Sequence, residues 1–308
     1  MKDKYGEPYK YDSTFVAKCR KLQSIYRVTI GQDIRPYNGK LYGNYISDGE
    51  KSGANFLREY IFEYVKKRVK EKKSYETINS DRLYNNLLSS QPMAFNLFYP
   101  LIKMLEDDAS KTTKALKMAL PEIPIHQVTD IKIEFIPENH DELTGDLTAM
   151  DAIIYFNDEE DNPCFVAVET KYSENLGTNE ASVKENRKSP KEIIKELDLF
   201  VPDIEEKINN KEIKLTQIYR NFILSERYGE DVNNKSYSIV LSPHEHPSTE
   251  KEVNSLIQYL KSEYHYKLKA IKLENFVQGL IMNSDGDYKS VFEDFYDRYL
   301  NFSKLENC

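Results

Sequence analysis

Between Gln127 and Lys171 the apolar residues stop recurring every three or four positions. They recur every two instead, or in short runs rich in β-branched side chains. Three strands follow from that change: VTDIKIEFI (128–136), TAMDAIIYF (148–156) and CFVAVETK (164–171). Their links, PENHDELTGDL and NDEEDNP, are dense in turn formers. The third run is apolar on both faces (Phe165, Val166, Ala167, Val168), as expected at the centre of a sheet covered on both sides. Consecutive strands bracketed by helix-patterned segments predict a layered α/β fold.

The flanks complete that picture. In GANFLREYIFEYVKKRVK the apolar residues Phe56, Leu57, Tyr60, Ile61, Tyr64 and Val65 have the spacing of an amphipathic helix. Asn79-Ser80-Asp81 is a cap for RLYNNLLSS, and Pro92 opens a helix through MAFNLFYPLIKML. After Lys171 a charged stretch, SENLGTNEASVKENRKSP, precedes the helical segments EIIKELDLF and KLTQIYRNFILSERY. A fourth strand, SYSIVLS (236–242), leads into the helix KEVNSLIQYLKSEY. A fifth, KLKAIKL (267–273), leads into ENFVQGLIM and an aromatic closing helix, SVFEDFYDRYLNF. The expected architecture is an αβββαβ core with a central mixed sheet and helices on both faces. Residues 1–125 form a mainly helical N-terminal region, and residues 126–308 the α/β core with its C-terminal helices. No linker separates them, so the N-terminal helices either pack on the sheet or stand as their own lobe.

Composition limits the function classes. The chain has 308 residues, 40% hydrophobic and 31% charged, enough to bury a core beneath a densely charged surface. No apolar run approaches the roughly eighteen residues of a membrane span. The start, MKDKYGEPYKYDS, does not read as a signal peptide, so a cytoplasmic protein is expected. Cys19, Cys164 and Cys308 form neither a disulfide framework nor a CxxC knuckle. His244 and His246, in SPHEHP, are too few for a zinc site and read as loop residues. The net charge of −8 argues against a protein that coats nucleic acid, but metal-binding carboxylates also lower net charge. Local phosphate contact is still available from VKKRVKEKK (65–73), which reads equally well as the solvated face of a helix. SDGD (284–287) lacks the spacing of a calcium loop and reads as a turn.

The chemistry concentrates between Thr148 and Glu174. Strand alternation sends Glu169 and Lys171 to the same side, with Val168 and Thr170 on the other. If the second and third strands pair antiparallel, Asp151 converges with Glu169 at one end. Buried charge that nothing offsets costs several kcal/mol, about 3–5 for one broken pair, and a divalent cation would offset it. Magnesium takes hard oxygen ligands and keeps several waters, so Asp151, Glu169 and the carbonyl of Thr170 suffice alongside substrate phosphate. A metal-bound water is more acidic, and the metal offsets charge on phosphate. Lys171 then holds the attacking water or stabilises the transition state as a cation.

Asp151 on one strand and Glu169-Thr170-Lys171 on the next resemble the signature of the PD-(D/E)XK nuclease superfamily. The segments SSQPMAFNLF (89–98), GDLTAMDAIIYF (145–156), FVAVETKYSE (165–174) and QIYRN (217–221) resemble a bacterial family of restriction endonucleases. The resemblance spans roughly residues 80–245. Glu-x-Lys recurs at Glu71–Lys73, Glu205–Lys207 and Glu212–Lys214, but only Glu169–Lys171 ends a buried strand. The sequence departs from the pattern in two places. Met150 replaces the proline before Asp151, whose rival Asp146 lies in a turn. Gln91 and Asn96 occupy the helix that supplies an acidic residue in many members, with Glu106 and Asp107 further along.

The resemblance implies a magnesium-dependent endonuclease, with manganese able to substitute, that cuts DNA in restriction or phage defence, as a homodimer. Catalytic roles fall to Asp151, Glu169 and Lys171, with metal contacts from Asp151, Glu169 and Thr170. Gln217, Arg220 and Asn221 share one helix face and, with Gln91, are candidates for substrate contact. Tyr172, Ser173 and Glu174 are candidates to line the cleft; Lys184, Arg187, Lys188 and Lys191 are candidates to touch a backbone, but read more readily as a solvated loop. Two other readings are an inactive nucleic-acid-binding or structural protein on the same fold, and a nuclease for RNA or branched repair intermediates.

Overall fold

The three expected strand runs form β1 (Gln127–Phe135), β2 (Met150–Asn157) and β3 (Pro163–Thr170). With β4 (Lys235–Ser242) and β5 (Leu268–Lys272) they make one five-stranded sheet whose spatial order follows the sequence. β1, β2 and β3 pair antiparallel, while β3–β4 and β4–β5 pair parallel. The parallel steps cross over through helices, Gln217–Val232 before β4 and Thr249–Ile257 before β5. The computed structural model describes residues 4–145, 147–174, 190–213 and 216–307. The mixed-sheet α/β expectation holds, with strand ends within two residues of those read from the sequence.

Alternation along the strands feeds two cores. Ala152, Ile154, Val166, Val168, Ile239 and Leu241 face a large core that also takes Phe95 and Phe98 from the helix Ser90–Asp107. The same core holds Phe15 and Cys19 near the N-terminus and Phe292, Phe295 and Tyr299 near the C-terminus. On the opposite face, Ile153, Phe165 and Ala167 pack with Leu224, and Val240 packs with Phe222, both from the helix Gln217–Val232. Close approach helps the first layer: a Cβ on Gly279 would lie 2.7 Å from the Cα of Ala119, so only glycine lets those helices meet there. Among the described residues no helix is long and apolar enough to cross a membrane.

The Ser90–Asp107 helix starts two residues ahead of Pro92, and the helix expected over RLYNNLLSS ends already at Asn85. Ser89 caps it by accepting from the Gln91 amide, and Pro92 sits in the first turn, where an amide has no intrahelical acceptor. The preceding Asn79 cap also forms, accepting from the Arg82 amide. The amphipathic helix begins later than its periodicity suggests, at Glu59, although Phe56 and Leu57 still pack against the core.

Beneath the end of β3 lies a polar network that no local pattern announces. Arg298, 1% exposed, donates to the carbonyl of Asn55 (2.8 Å) and to Oε1 of Gln23 (3.2 Å), and its guanidinium lies over Tyr26 and Tyr299. Gln23 in turn donates to the hydroxyl of buried Tyr172 (2.9 Å), which immediately follows Lys171. The two chain ends thus brace the segment that carries the catalytic candidates. Arg298→Ala would leave several buried acceptors without donors, so we expect a loss of about 3 kcal/mol or more in urea unfolding. A loss below roughly 1 kcal/mol, the worth of one ordinary hydrogen bond, would show that the network does not brace the fold.

Candidate active site

Because β2 and β3 are antiparallel, the start of one lies beside the end of the other, and Asp151 and Glu169 line the same cavity of about 640 Å³. Asp151 Oδ2 accepts from the Thr170 amide (2.6 Å) and hydroxyl (2.7 Å). In a strand the amide and carbonyl of one residue point to the same edge, so the Thr170 carbonyl also faces the β2 side. Glu169, 4% exposed, accepts on Oε1 from Lys171 Nζ (2.7 Å) and Gln217 Nε2 (2.8 Å), and on Oε2 from Asn221 Nδ2. Lys171 Nζ also donates to Gln217 Oε1 (2.8 Å), which closes a ring of three side chains. Gln217 and Asn221 lie one turn apart at the start of their helix; Gln217 spends both ends of its amide on Glu169 and Lys171, whereas Asn221 gives only its Nδ2 to Glu169. Arg220 lines the cavity beside them.

The electrostatics are those of carboxylates crowded out of water. Burial first, and then the charge of Asp151, pushes the Glu169 carboxyl up to about 7, against the opposing pull of Lys171 and Asn221. Burial likewise raises Asp151, opposed by Lys171 and by its two bonds from Thr170. Burial pulls Lys171 down, but the charges of Glu169 and Asp151 overcome this and hold it above its ordinary value, so it remains a cation at neutral pH. Two hard-oxygen groups that repel each other in one cavity suit a divalent cation, which would relieve both. Among the described residues, no three histidine, cysteine or carboxylate side chains already converge on a point that could hold one.

One acid escaped the sequence reading. The pairs Ile133–Ala152 and Phe135–Met150 place Glu134 directly across from Asp151. Glu134 is 6% exposed, lines the same cavity and has a φ of +51°, a left-handed conformation that a glutamate rarely adopts. Burial and the Asp151 charge push its carboxyl up to about 8, while a hydrogen bond from the Gln91 side chain opposes the shift. Gln91 therefore sits at the cavity as expected, but it serves Glu134, and its Oε1 accepts from the Asn79 amide (3.3 Å). In the sequence the sole signal is a glutamate inside the apolar run IKIEFI.

The remaining candidates divide. Glu174 lines the cavity and accepts from the amides of Ser90 (2.8 Å), Tyr172 and Ser173, with Arg82 at 3.9 Å. Tyr172 and Ser173 are buried below the cavity instead. Asn96 belongs to the core network, donating to Asn55 and Tyr299, while Glu106 and Asp107 bond Lys103 and Tyr288 at the surface. Both histidines are loop residues: His246 is buried between Glu174 and Thr249, and the His244 amide is held by Glu274. In the basic segment Lys66 and Arg68, on the helix, and Lys73, just beyond its end at Glu71, pair with Glu63, Glu76 and Glu138, which favours a solvated face. SDGD is not the turn read from the sequence: Gly286 and Asp287 begin the helix Gly286–Tyr299, and Asp285 just before it pairs with Lys111. Lys191 starts a short helix, Pro190–Glu196. Asp146, Lys184, Arg187 and Lys188 lie outside the described residues.

These shifts have a consequence for stability. Glu134 and Glu169 bind protons more tightly folded than unfolded, where carboxyls titrate near 4.5. Their contribution is complete below about pH 4.5 and is lost as pH rises through 7 to 8. In EDTA, the melting temperature of wild type relative to Glu134→Gln is expected to fall between pH 5 and pH 8.5, read by a thermal scan at each pH. A constant difference across that window would contradict the burial of Glu134 as an ionisable acid.

A family model described as the PD-(D/E)XK nuclease superfamily matches residues 10–301. Neither a curated protein nor a solved structure matches the chain significantly. The match extends well beyond the sheet and its motif to take in nearly all of the N-terminal and C-terminal helices, and the chain belongs to the PD-(D/E)XK nuclease superfamily.

Proposed function

We propose that this nuclease-superfamily member hydrolyses DNA phosphodiester bonds with a divalent cation, magnesium first and manganese in its place, in restriction or phage defence. The observation that carries the reading is the pairing of Asp151 with Glu169 in one cavity, with Lys171 held 2.7 Å from Glu169. Asp151, Glu169 and the Thr170 carbonyl would hold the cation, which when bound lowers the pKa of water and offsets charge on phosphate. Lys171 stays charged and stabilises the oxygens on which charge grows, a role that suits a lysine whose pKa is raised. Gln217 and Asn221 position Glu169 and Lys171 rather than reading substrate. Arg82 and Arg220, both at the cavity, are the cations placed to contact a phosphate. One such site cuts one strand, so a double-strand cut calls for two copies about a two-fold axis.

Incubation with supercoiled plasmid in magnesium, in manganese and in EDTA tests the reading. Nicked or linear product in either metal and none in EDTA is expected. Absence of cleavage in both metals, with RNA and branched junctions offered in parallel, would contradict it, while cleavage of those alone would shift the substrate class. Asp151→Asn and Glu169→Ala are each expected to abolish cleavage, with circular dichroism reading the fold: Asp151→Asn relieves the repulsion in the metal-free site, whereas Glu169→Ala relieves it but also takes from Lys171 its buried partner. Wild-type turnover by either variant would remove it from the site.

Lys171→Met keeps the stem and removes the charge. Single-turnover cleavage is expected to fall about a hundred- to thousand-fold. DNA binding in calcium should change little, since one phosphate contact among several contributes little affinity. A variant that binds markedly worse yet cuts bound DNA normally would make Lys171 a substrate anchor.

A further inference from the structure

Side chains normally alternate across a sheet, yet at one place two neighbouring strands break the rule together. Ile133 faces the large core, while Phe135, two residues on, packs on the opposite face. On the partner strand Ala152 and Met150 do the same. The residues between them, Glu134 and Asp151, stand across from each other at that switch, and both line the cavity. The left-handed backbone at Glu134 is what turns β1 there. A strained, buried acid facing another acid has no structural gain to account for it, and such outliers gather where function requires them.

We propose that Glu134 is the third carboxylate of the cation site, supplied by β1 because the Ser90–Asp107 helix offers Gln91 in place of an acid. The inference rests on the cation-dependent reading above and assigns a further residue to it. A second observation at the same cavity points to a ligand: Oδ1 of Asn221, a residue only 9% exposed, has no hydrogen-bond partner. The Nδ2 of the same amide holds Glu169, so a shift of Glu169 toward a cation would free the side chain to turn that oxygen to the donors of a hydrated ion. Glu134 is held ready by the Gln91 side chain, which is itself fixed through the Asn79 amide. Without a cation between them three carboxylates repel, so their standing apart, with Glu169 on Lys171, is the arrangement expected of the metal-free protein.

Calorimetric titration of the full chain with manganese chloride tests this, using wild type, Glu134→Gln, Glu134→Gly and Asp151→Asn at one pH. Glycine accepts the positive φ at that position, so the second variant relieves the backbone strain that glutamine retains. Both Glu134 variants are expected to bind manganese about ten- to a hundred-fold more weakly than wild type, with unchanged circular dichroism. If they bind as tightly as wild type while Asp151→Asn does not, the role of Glu134 is overturned and the two-carboxylate reading stands. If wild type itself takes up no manganese, both are overturned.

Discussion

The repulsion between Asp151 and Glu169, which line one cavity at the junction of β2 and β3, is the constraint around which the rest of the molecule is organised. Glu169 is buried and Asp151 only partly exposed, and among the described residues the lysine that lines the cavity, Lys171, is bonded to Glu169 alone of the two. Asp151 relies on the amide and hydroxyl of Thr170. These neutral donors do not cancel a charge. A protein selected only for stability would replace such a cluster with apolar residues of similar volume, often at no cost. That it is kept, braced from several sides, is the physical argument for a cation and a phosphate in that cavity.

The fold supplies the bracing. Antiparallel pairing of β2 with β3 brings the two acids together, and the parallel crossover delivers the Gln217–Val232 helix with its first turn over them. Gln217 bonds both Glu169 and Lys171, so the spacing between carboxylate and ammonium is set before any substrate arrives. Behind β3, Tyr172 ties the strand end to Gln23 and so to Arg298, residues from opposite ends of the chain. The helices outside the α/β core are therefore part of how the site is held.

How much of this the sequence carried depended on whether the signal was local. The period change and the buried run before Glu169-Thr170-Lys171 located the sheet and the edge where the candidate residues meet in one cavity, because alternation and burial are written into adjacent residues. Glu134 was invisible for the opposite reason. In IKIEF it occupies what alternation reads as an ordinary strand position, and only its positive φ and its partner across β1–β2 turn it into the cavity. Gln217 and Asn221 were found by their helical spacing, but their use as braces depended on where β3 lies. The Gln23–Arg298 pair, 275 residues apart, left no pattern at all.

Crystals grown with manganese would test the central claim most directly through anomalous scattering. The account predicts one strong peak between the carboxylates of Asp151 and Glu169, with the Lys171–Glu169 contact loosened to admit it. A fully occupied ion elsewhere, with Asp151 and Glu169 still arranged as in the metal-free protein, would contradict it.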